Sequence, residues 1–329
     1  MLFDYSIVIR TLGNTGEKYL RMLQAIDRQT VKPMEIIVVI PEGYRLDHSL
    51  GYERIIRSTK GMVTQRAIGI AEAKGEYLLV LDDDLDFPPN FAEEMHQHLI
   101  TENLDCVLAF GGWNPDNVPD GIPSDKPRNQ TLKGWAKRIR SAYTGQAFYS
   151  RRQSQYFDTI VSTGGHRTYV NCENGLCQTG AFACFFIKSG MAKAVHFEDE
   201  VWLEQGTVSN YAAYDDAVFY YKFFLNRGRI KYVHDTDFLH LDAAAGRPAL
   251  DKLTAKRIRL YTIAKNRTIF WYRHIWTKHR SLKTLCGGWY GIINYAIYNL
   301  IANIYPKYWP AITAMLAGYR DAYRYIRHK

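Results

Sequence analysis

The chain reads as an α/β protein: a mainly parallel sheet flanked by helices, followed by a basic, aromatic helical tail. Three observations predict this class. An uncharged aliphatic run, Tyr77 to Leu81, follows Gly75 and ends in the carboxylates Asp82, Asp83, Asp84 and Asp86; an unbroken apolar run of that length marks a strand buried on both faces. Strand-like and helix-like segments alternate from the N-terminus, the order that builds parallel sheets. From Ala255 to Lys329, fourteen Lys and Arg stand against a single acid, Asp321, among many Tyr and Trp.

The elements follow in order. Ser6 to Thr11 reads as a first strand, Glu17 to Arg28 as a helix and Met34 to Ile40 as a second strand. Lys60 to Lys74 reads as a helix leading into the Tyr77–Leu81 strand, and Pro88 and Pro89 mark the start of the next helix. Asp105 to Phe110 reads as a strand stopped by Gly111, Gly112 and Trp113. Asn114 to Asn171 is polar, with a basic helix candidate at Leu132 to Tyr143; long irregular stretches of this kind are often lids or acceptor loops. Gln178 to Ile187 reads as a strand in which Gly180 permits close backbone approach to a ligand. Tyr214 to Gly228 is an apolar helix opened by Asp215 and Asp216, and Tyr232 to Asp242 is a late strand rich in His and Asp. The expected organisation is 1–110 as one half of an α/β domain, 111–245 as the other half, and 246–329 as the tail.

Composition sets limits. With 329 residues, 47% of them hydrophobic, the chain can bury one large core or two modest ones. A strand begins within five residues of the start, beside Asp4 and Arg10, which leaves no room for the apolar core of a secretory signal, so a cytosolic location is expected. Five cysteines without a CxxC pair argue against a disulfide framework or a four-cysteine zinc site, and Cys172, Cys177 and Cys184 are expected to be packing residues.

The carboxylates after Leu81 lie at the C-terminal end of a strand, the edge where open α/β sheets bind ligands. Hard oxygen donors suit Mg²⁺ or Mn²⁺, above all when phosphate oxygens complete the shell. Asp82 and Asp84, two apart, could share one cation and its diphosphate ligand. A solvated acidic loop that caps the following helix is the other reading.

Upstream of this run stand Arg66, Ala67, Ile68, Gly69 and Ile70, then Gly75, Glu76 and Tyr77. With Asp82 to Asp84 they resemble the signature of the family 2 glycosyltransferases of the GT-A fold: Arg-Asn-x-Gly-Ile, Gly-Glu-Tyr, a hydrophobic strand and Asp-x-Asp, with Ala67 in place of Asn. The resemblance covers roughly residues 5 to 245 and is strongest between 60 and 90. It implies a nucleotide-sugar donor held near Arg10, Thr11, Arg66, Asp82 and Asp83, and a metal, Mn²⁺ or Mg²⁺, held by Asp82, Asp84 and a late histidine, His240, with His234 as an alternative. It also implies that Asp216, beside Asp215, is the general base; without it, two acids at a helix start are explained by capping and the macrodipole. The family commonly places an acid after its second strand to recognise the base. Here Glu42 stands nearby but out of register, so UDP is the default by resemblance, with dTDP and GDP open. One base and one metal imply a single displacement with inversion at the anomeric carbon.

The tail carries +13 and positions 1–254 carry −4. Basic residues interleaved with amphipathic aromatics describe an interfacial segment on an anionic leaflet. That suits a peripheral protein at the inner face of the membrane, acting on a glycan or polyprenyl-diphosphate-linked acceptor in cell-surface polysaccharide assembly. Thr284 to Pro306 is uncharged and long enough to span, yet includes Asn294, Asn299 and Asn303. Nucleic-acid binding is not expected, because no module for it is present and an acidic catalytic half repels a phosphate backbone. The competing readings are a sugar-1-phosphate nucleotidyltransferase, for which Arg10 to Gly16 is a poor glycine-rich loop, and a non-catalytic membrane-bound carbohydrate-binding protein.

Overall fold

The computed structural model describes residues 3–111, 155–169, 175–241 and 250–328. The basic helix candidate at 132–143, Cys172 and Asp242 lie outside them. The chain divides into two compact units, one formed by 1–116 with 176–249 and the other by 117–175 with 250–329.

In the first unit the order is β1 (Tyr5–Arg10), α1 (Glu17–Asp27), β2 (Glu35–Pro41), β3 (Arg54–Ser58), α2 (Met62–Glu72), β4 (Tyr77–Leu81), β5 (Leu85–Asp86), α3 (Phe91–Thr101) and β6 (Cys106–Gly111). After β7 (Phe157–Val161) and β8 (Arg167–Tyr169), which belong to the second unit, come β9 (Leu176–Cys177), β10 (Cys184–Lys188), the short helix α4 (Ser189–Lys193), α5 (Asp215–Leu225) and β11 (Ile230–His240). The sheet of this unit runs β3-β2-β1-β4-β10-β6-β11-β9, with β5 pairing β11. Strands β3, β2, β1 and β4 are parallel, as are β6 and β11, while β10 runs antiparallel to both β4 and β6. The C-terminal ends of β1, β2, β4, β6 and β11 therefore share one edge.

Burial follows pattern. Every residue of β4 is buried, as an uninterrupted aliphatic run requires of a strand covered on both faces. Helix α2 lies against β1 and β2 at Gly69, where a Cβ would meet Val8 and Val39. A core of Ile7, Ile9, Leu23, Ile26, Leu79, Leu81, Phe91, Leu99 and Phe186 fills the space between the sheet, α1 and α3. Cys106, Cys177 and Cys184 are buried thiols outside any disulfide, whereas Cys286 is exposed.

Two elements depart from the sequence reading. The expected strand Gln178 to Ile187 begins only at Cys184. The Ala181 N–H bonds to the Tyr232 hydroxyl at 3.0 Å, and the Tyr220 hydroxyl donates to the Ala181 carbonyl at 3.2 Å, so tyrosines take the groups a ladder would use. Gly180 in that stretch is pressed onto Leu108 and Tyr220. Strand β3 has no counterpart in the sequence reading, since Arg54 and Arg57 break up its apolar pattern; it closes the edge next to β2, where charged side chains are favourable.

The second unit contains the β7–β8 antiparallel pair and three long helices: α6 (Lys252–Phe270), which continues into a π-helical segment Trp271–Trp276, α7 (Leu282–Ala302) and α8 (Trp309–Arg327). Asp251 caps α6 through the Leu253 and Thr254 amides at 2.9 and 3.0 Å, and Ser281 caps α7 through that of Thr284. Leu260, Ala264, Ala311, Ile312 and Met315 join α6 to α8. No helix among the described residues is long and apolar enough to cross a membrane.

Candidate active site

The shared strand edge gathers most of the residues singled out above. At the end of β1, Arg10 Nη2 meets Asp82 Oδ1 at 3.0 Å. The Thr11 and Thr15 hydroxyls donate to Asp83 Oδ2 at 2.5 and 2.7 Å, tying the loop after β1 to the end of β4. The Thr11 hydroxyl accepts the Gly13 amide at 2.8 Å. Gly13 has φ +77° and lies so near the Arg45 carbonyl that a Cβ would overlap its oxygen, so this turn requires glycine. Glu42 is exposed just after β2, with its amide bonded to Ser58 O.

Arg66 is the centre of the arrangement. It projects from α2, is 2% exposed, and holds Asp82 Oδ1 with Nη2 at 3.1 Å and Asp215 Oδ2 with Nη1 at 3.0 Å. Its guanidinium lies 3.9 Å from the Phe182 ring centroid. Helix α2 has no capping side chain of its own at Gly61. Glu204 supplies one from a distant turn, accepting the Val63 amide at 2.7 Å and the Thr64 hydroxyl, while burial raises its carboxyl pKa. Gln65, next to Arg66, donates to the Thr11 and Val39 carbonyls at 2.9 and 2.8 Å and fixes α2 across β1 and β2.

The chain then turns through Asp84 into β5, whose pairing with β11 sets His240 opposite Leu85. The Leu241 amide donates to Asp84 O at 2.8 Å, and His240 Nε2 lies 3.6 Å from Asp84 Oδ1. Buried Asp84 and exposed His240 thus face each other as an oxygen and a nitrogen donor, a set that fits a divalent cation whose further ligands are phosphate oxygens and water. Asp82 is engaged by its two arginines instead. Among the described residues no three His, Cys, Asp or Glu side chains converge as a metal cluster. His234 is exposed, within the irregularity of β11 between Val233 and Asp237. Asp86, beyond Asp84, is buried and paired with Arg21 at 2.5 Å and with Arg28.

Asp215 and Asp216 open α5 directly after Tyr214, which has φ +76°, a left-handed conformation strained for a tyrosine. Asp215 is buried on Arg66, and burial pushes its carboxyl up to about 6, against the pull of Arg66 and Arg10. Asp216 is half-buried and accepts the Ala217 amide at 2.7 Å. One arginine therefore links the acidic end of β4 to the acidic start of α5, and Arg10, Arg66, Asp82 and Asp215 form a single charged cluster. Sequence reasoning missed Thr15, Phe182 and Glu204: Thr15 was visible in the Gly13 to Gly16 turn, whereas nothing near Phe182 or Glu204 announces a partner in α2.

Residues 45–169 match the family model described as Glycosyl transferase family 2. No curated protein matches the sequence. Among solved structures, residues 1–349 of TarS from S. aureus are 14% identical at a TM-score of 0.43, over 99% of this chain and 92% of that one. The mannosyltransferase PcManGT from Pyrobaculum calidifontis, in complex with GDP-Man and Mn²⁺, is 11% identical at 0.46, over 98% and 88%. GalNAc-T7 with UDP, GalNAc and Mn²⁺ is 13% identical at 0.46, over 82% of this chain and 50% of that one.

Proposed function

We propose that this chain, which matches the Glycosyl transferase family 2 model over residues 45–169, carries out an inverting transfer of a sugar from a nucleoside diphosphate donor, a UDP-sugar, to a hydroxyl of a glycan or polyprenyl-diphosphate-linked acceptor. The observation that carries this reading is the Arg66 bridge, which holds Asp82 at the end of β4 and Asp215 at the start of α5 on one guanidinium. Asp216 is the next residue after Asp215 in the same first turn of α5.

Asp216 takes the proton of the acceptor hydroxyl as that oxygen bonds to the anomeric carbon and the bond from this carbon to the diphosphate breaks. The nucleoside diphosphate leaves with the electron pair. Asp84 and His240 would hold Mn²⁺ or Mg²⁺, which when bound supplies Lewis-acid stabilisation of the leaving diphosphate. Asp215 keeps Arg66 in place and so fixes the first turn of α5. Arg10, Thr11, Asp82 and Asp83 form the floor against which the donor lies, and Glu42 is the acid available to the base.

The +13 tail suits an acceptor presented at an anionic membrane surface, at its inner face, in polysaccharide assembly. The test is a thermal-shift panel of UDP-, GDP- and dTDP-sugars with and without Mn²⁺, followed by turnover of the sugar that stabilises most. A metal-dependent rise in Tm with release of nucleoside diphosphate is expected. Binding with no turnover on any acceptor would favour a carbohydrate-binding role, and no response to any sugar nucleotide would overturn the reading.

A further inference from the structure

Helix α7 is built the wrong way round for water. The face it packs inside its own unit is small and polar: Thr284, Gly287, Gly288, Gly291 and Asn294 are buried. Close approach explains the glycines. A Cβ at Gly287 would overlap the Thr163 hydroxyl, one at Gly288 would enter the Trp271 indole, and one at Gly291 would meet His166 at 2.8 Å. The neighbours bind the helix by its backbone: Arg267 donates to Gly291 O at 2.9 Å, Trp271 to Thr284 O at 3.3 Å and Tyr319 to Ile292 O at 3.2 Å. The opposite face carries Trp289, Ile293, Ile297, Leu300 and Ile301, all exposed, the tryptophan by 57% and Ile301 by 66%. An amphipathic helix on a water-soluble surface points its large apolar residues inward. Here they point outward, and an apolar stripe of this kind marks an interaction surface.

We propose that the outward face of α7 lies in the headgroup region of an anionic lipid leaflet, with the helix axis parallel to the membrane plane. This deepens the membrane part of the proposed function by naming the element that makes contact. Charge selects the occupant. Lys278, Arg280 and Lys283 are exposed around the start of α7 and Lys307 beyond its end, with no acid between them. Asp321 on α8, the one acid after position 254, accepts the Tyr261 hydroxyl of α6 at 3.0 Å. Cations at both ends of an apolar stripe complement acidic headgroups and repel a second copy of the same surface. The helix is not a span, as its Asn and Gly content already keeps it below the required hydropathy.

The experiment is co-sedimentation of the full chain with phosphatidylcholine vesicles, with and without phosphatidylglycerol, for wild type, the double variant Ile293→Glu/Ile297→Glu and the control Ile55→Glu on the exposed edge strand of the first unit. Circular dichroism and sedimentation velocity check fold and oligomeric state. Wild type and control should bind vesicles containing phosphatidylglycerol, and the double variant, equally folded, should partition on the order of a hundredfold less. Wild type that stays in the supernatant overturns the proposal. Salt-reversible binding that survives in the double variant also overturns it while leaving charge-driven adsorption standing, and a dimer that the variant splits with vesicle binding unchanged assigns the stripe to a second copy. Turnover with a soluble acceptor is read separately, so loss of transfer by wild type would count against the function and not against the stripe.

Discussion

Asp84 is buried at the turn between β4 and β5 with its side chain towards His240, so replacing one carboxylate oxygen by an amide removes charge without changing volume. Asp84→Asn should keep the melting temperature and lower Mn²⁺-dependent turnover by about a hundredfold or more; normal turnover in chelator-treated buffer would dismiss the metal assignment. Asp216→Asn is expected to bind UDP as wild type does and to lose about 10² to 10⁴ in kcat, because a base acts on the acceptor and not on the nucleotide. Isothermal titration beside steady-state kinetics separates the two. Arg66→Met should behave differently from both: Asp82 keeps Arg10, but buried Asp215 loses the cation that holds it, and breaking a buried pair from one side costs about 3 to 5 kcal/mol. Urea unfolding would show it, and a variant as stable as wild type would mean that the bridge is not structural. At this scale the acidic strand end was legible because an apolar run stops abruptly at four carboxylates, although Asp82 and Asp86 turn out to be held by arginines and Asp83 by Thr11 and Thr15. The Glu204 cap was not, since 141 residues separate it from the Val63 amide it accepts and no local pattern encodes so distant a partner.

Elements were legible where one period dominates. Strand β4 occupies the apolar run expected of it, and α1, α2 and α5 differ from expectation by a few terminal residues. The errors arise where side chains compete with the ladder, as the two tyrosines do at Ala181, or where basic residues interrupt the pattern, as in β3. Helix α6 carries another conflict, a lysine at a core position: burial draws Lys265 down to about 8, against the pull of Asp321. The folded-state pKa is below the unfolded one, so the native state releases this proton first as pH rises. Stability should therefore increase from about pH 8 towards 10, with the opposing effect of Tyr261, whose pKa is pushed up to about 12, setting in above that. Lys265→Met should flatten this rise, as thermal melts across the window would reveal; an unchanged slope would assign it to other groups.

At the scale of the whole molecule, the charge partition was legible by counting, but the partition into units was not. Residues 155–169 pack with the C-terminal helices: Trp271 donates to Thr163 O at 3.0 Å, and Gly164 is so close to Gly287 that a Cβ would overlap its carbonyl oxygen. Removing everything after position 249 is thus no clean excision of a tail. Such a chain should be cut by protease within 155–169 under conditions where the full chain resists, and equal resistance would show that the β7–β8 pair folds alone.

This interleaving has a consequence in time. Ribosomes deliver the chain from its N-terminus, so the turn around Gly164 is made long before the helix it must clasp. At about 5 to 20 residues per second the gap to Gly287 is roughly 6 to 25 s. For that interval the first unit can already close its sheet through β11, while the β7–β8 turn waits for a partner still being translated. The order of emergence therefore favours a nascent state in which the first unit is assembled before the C-terminal helices, and ribosome-bound chains stalled near residue 270 should already protect β4 from protease while leaving 155–169 open.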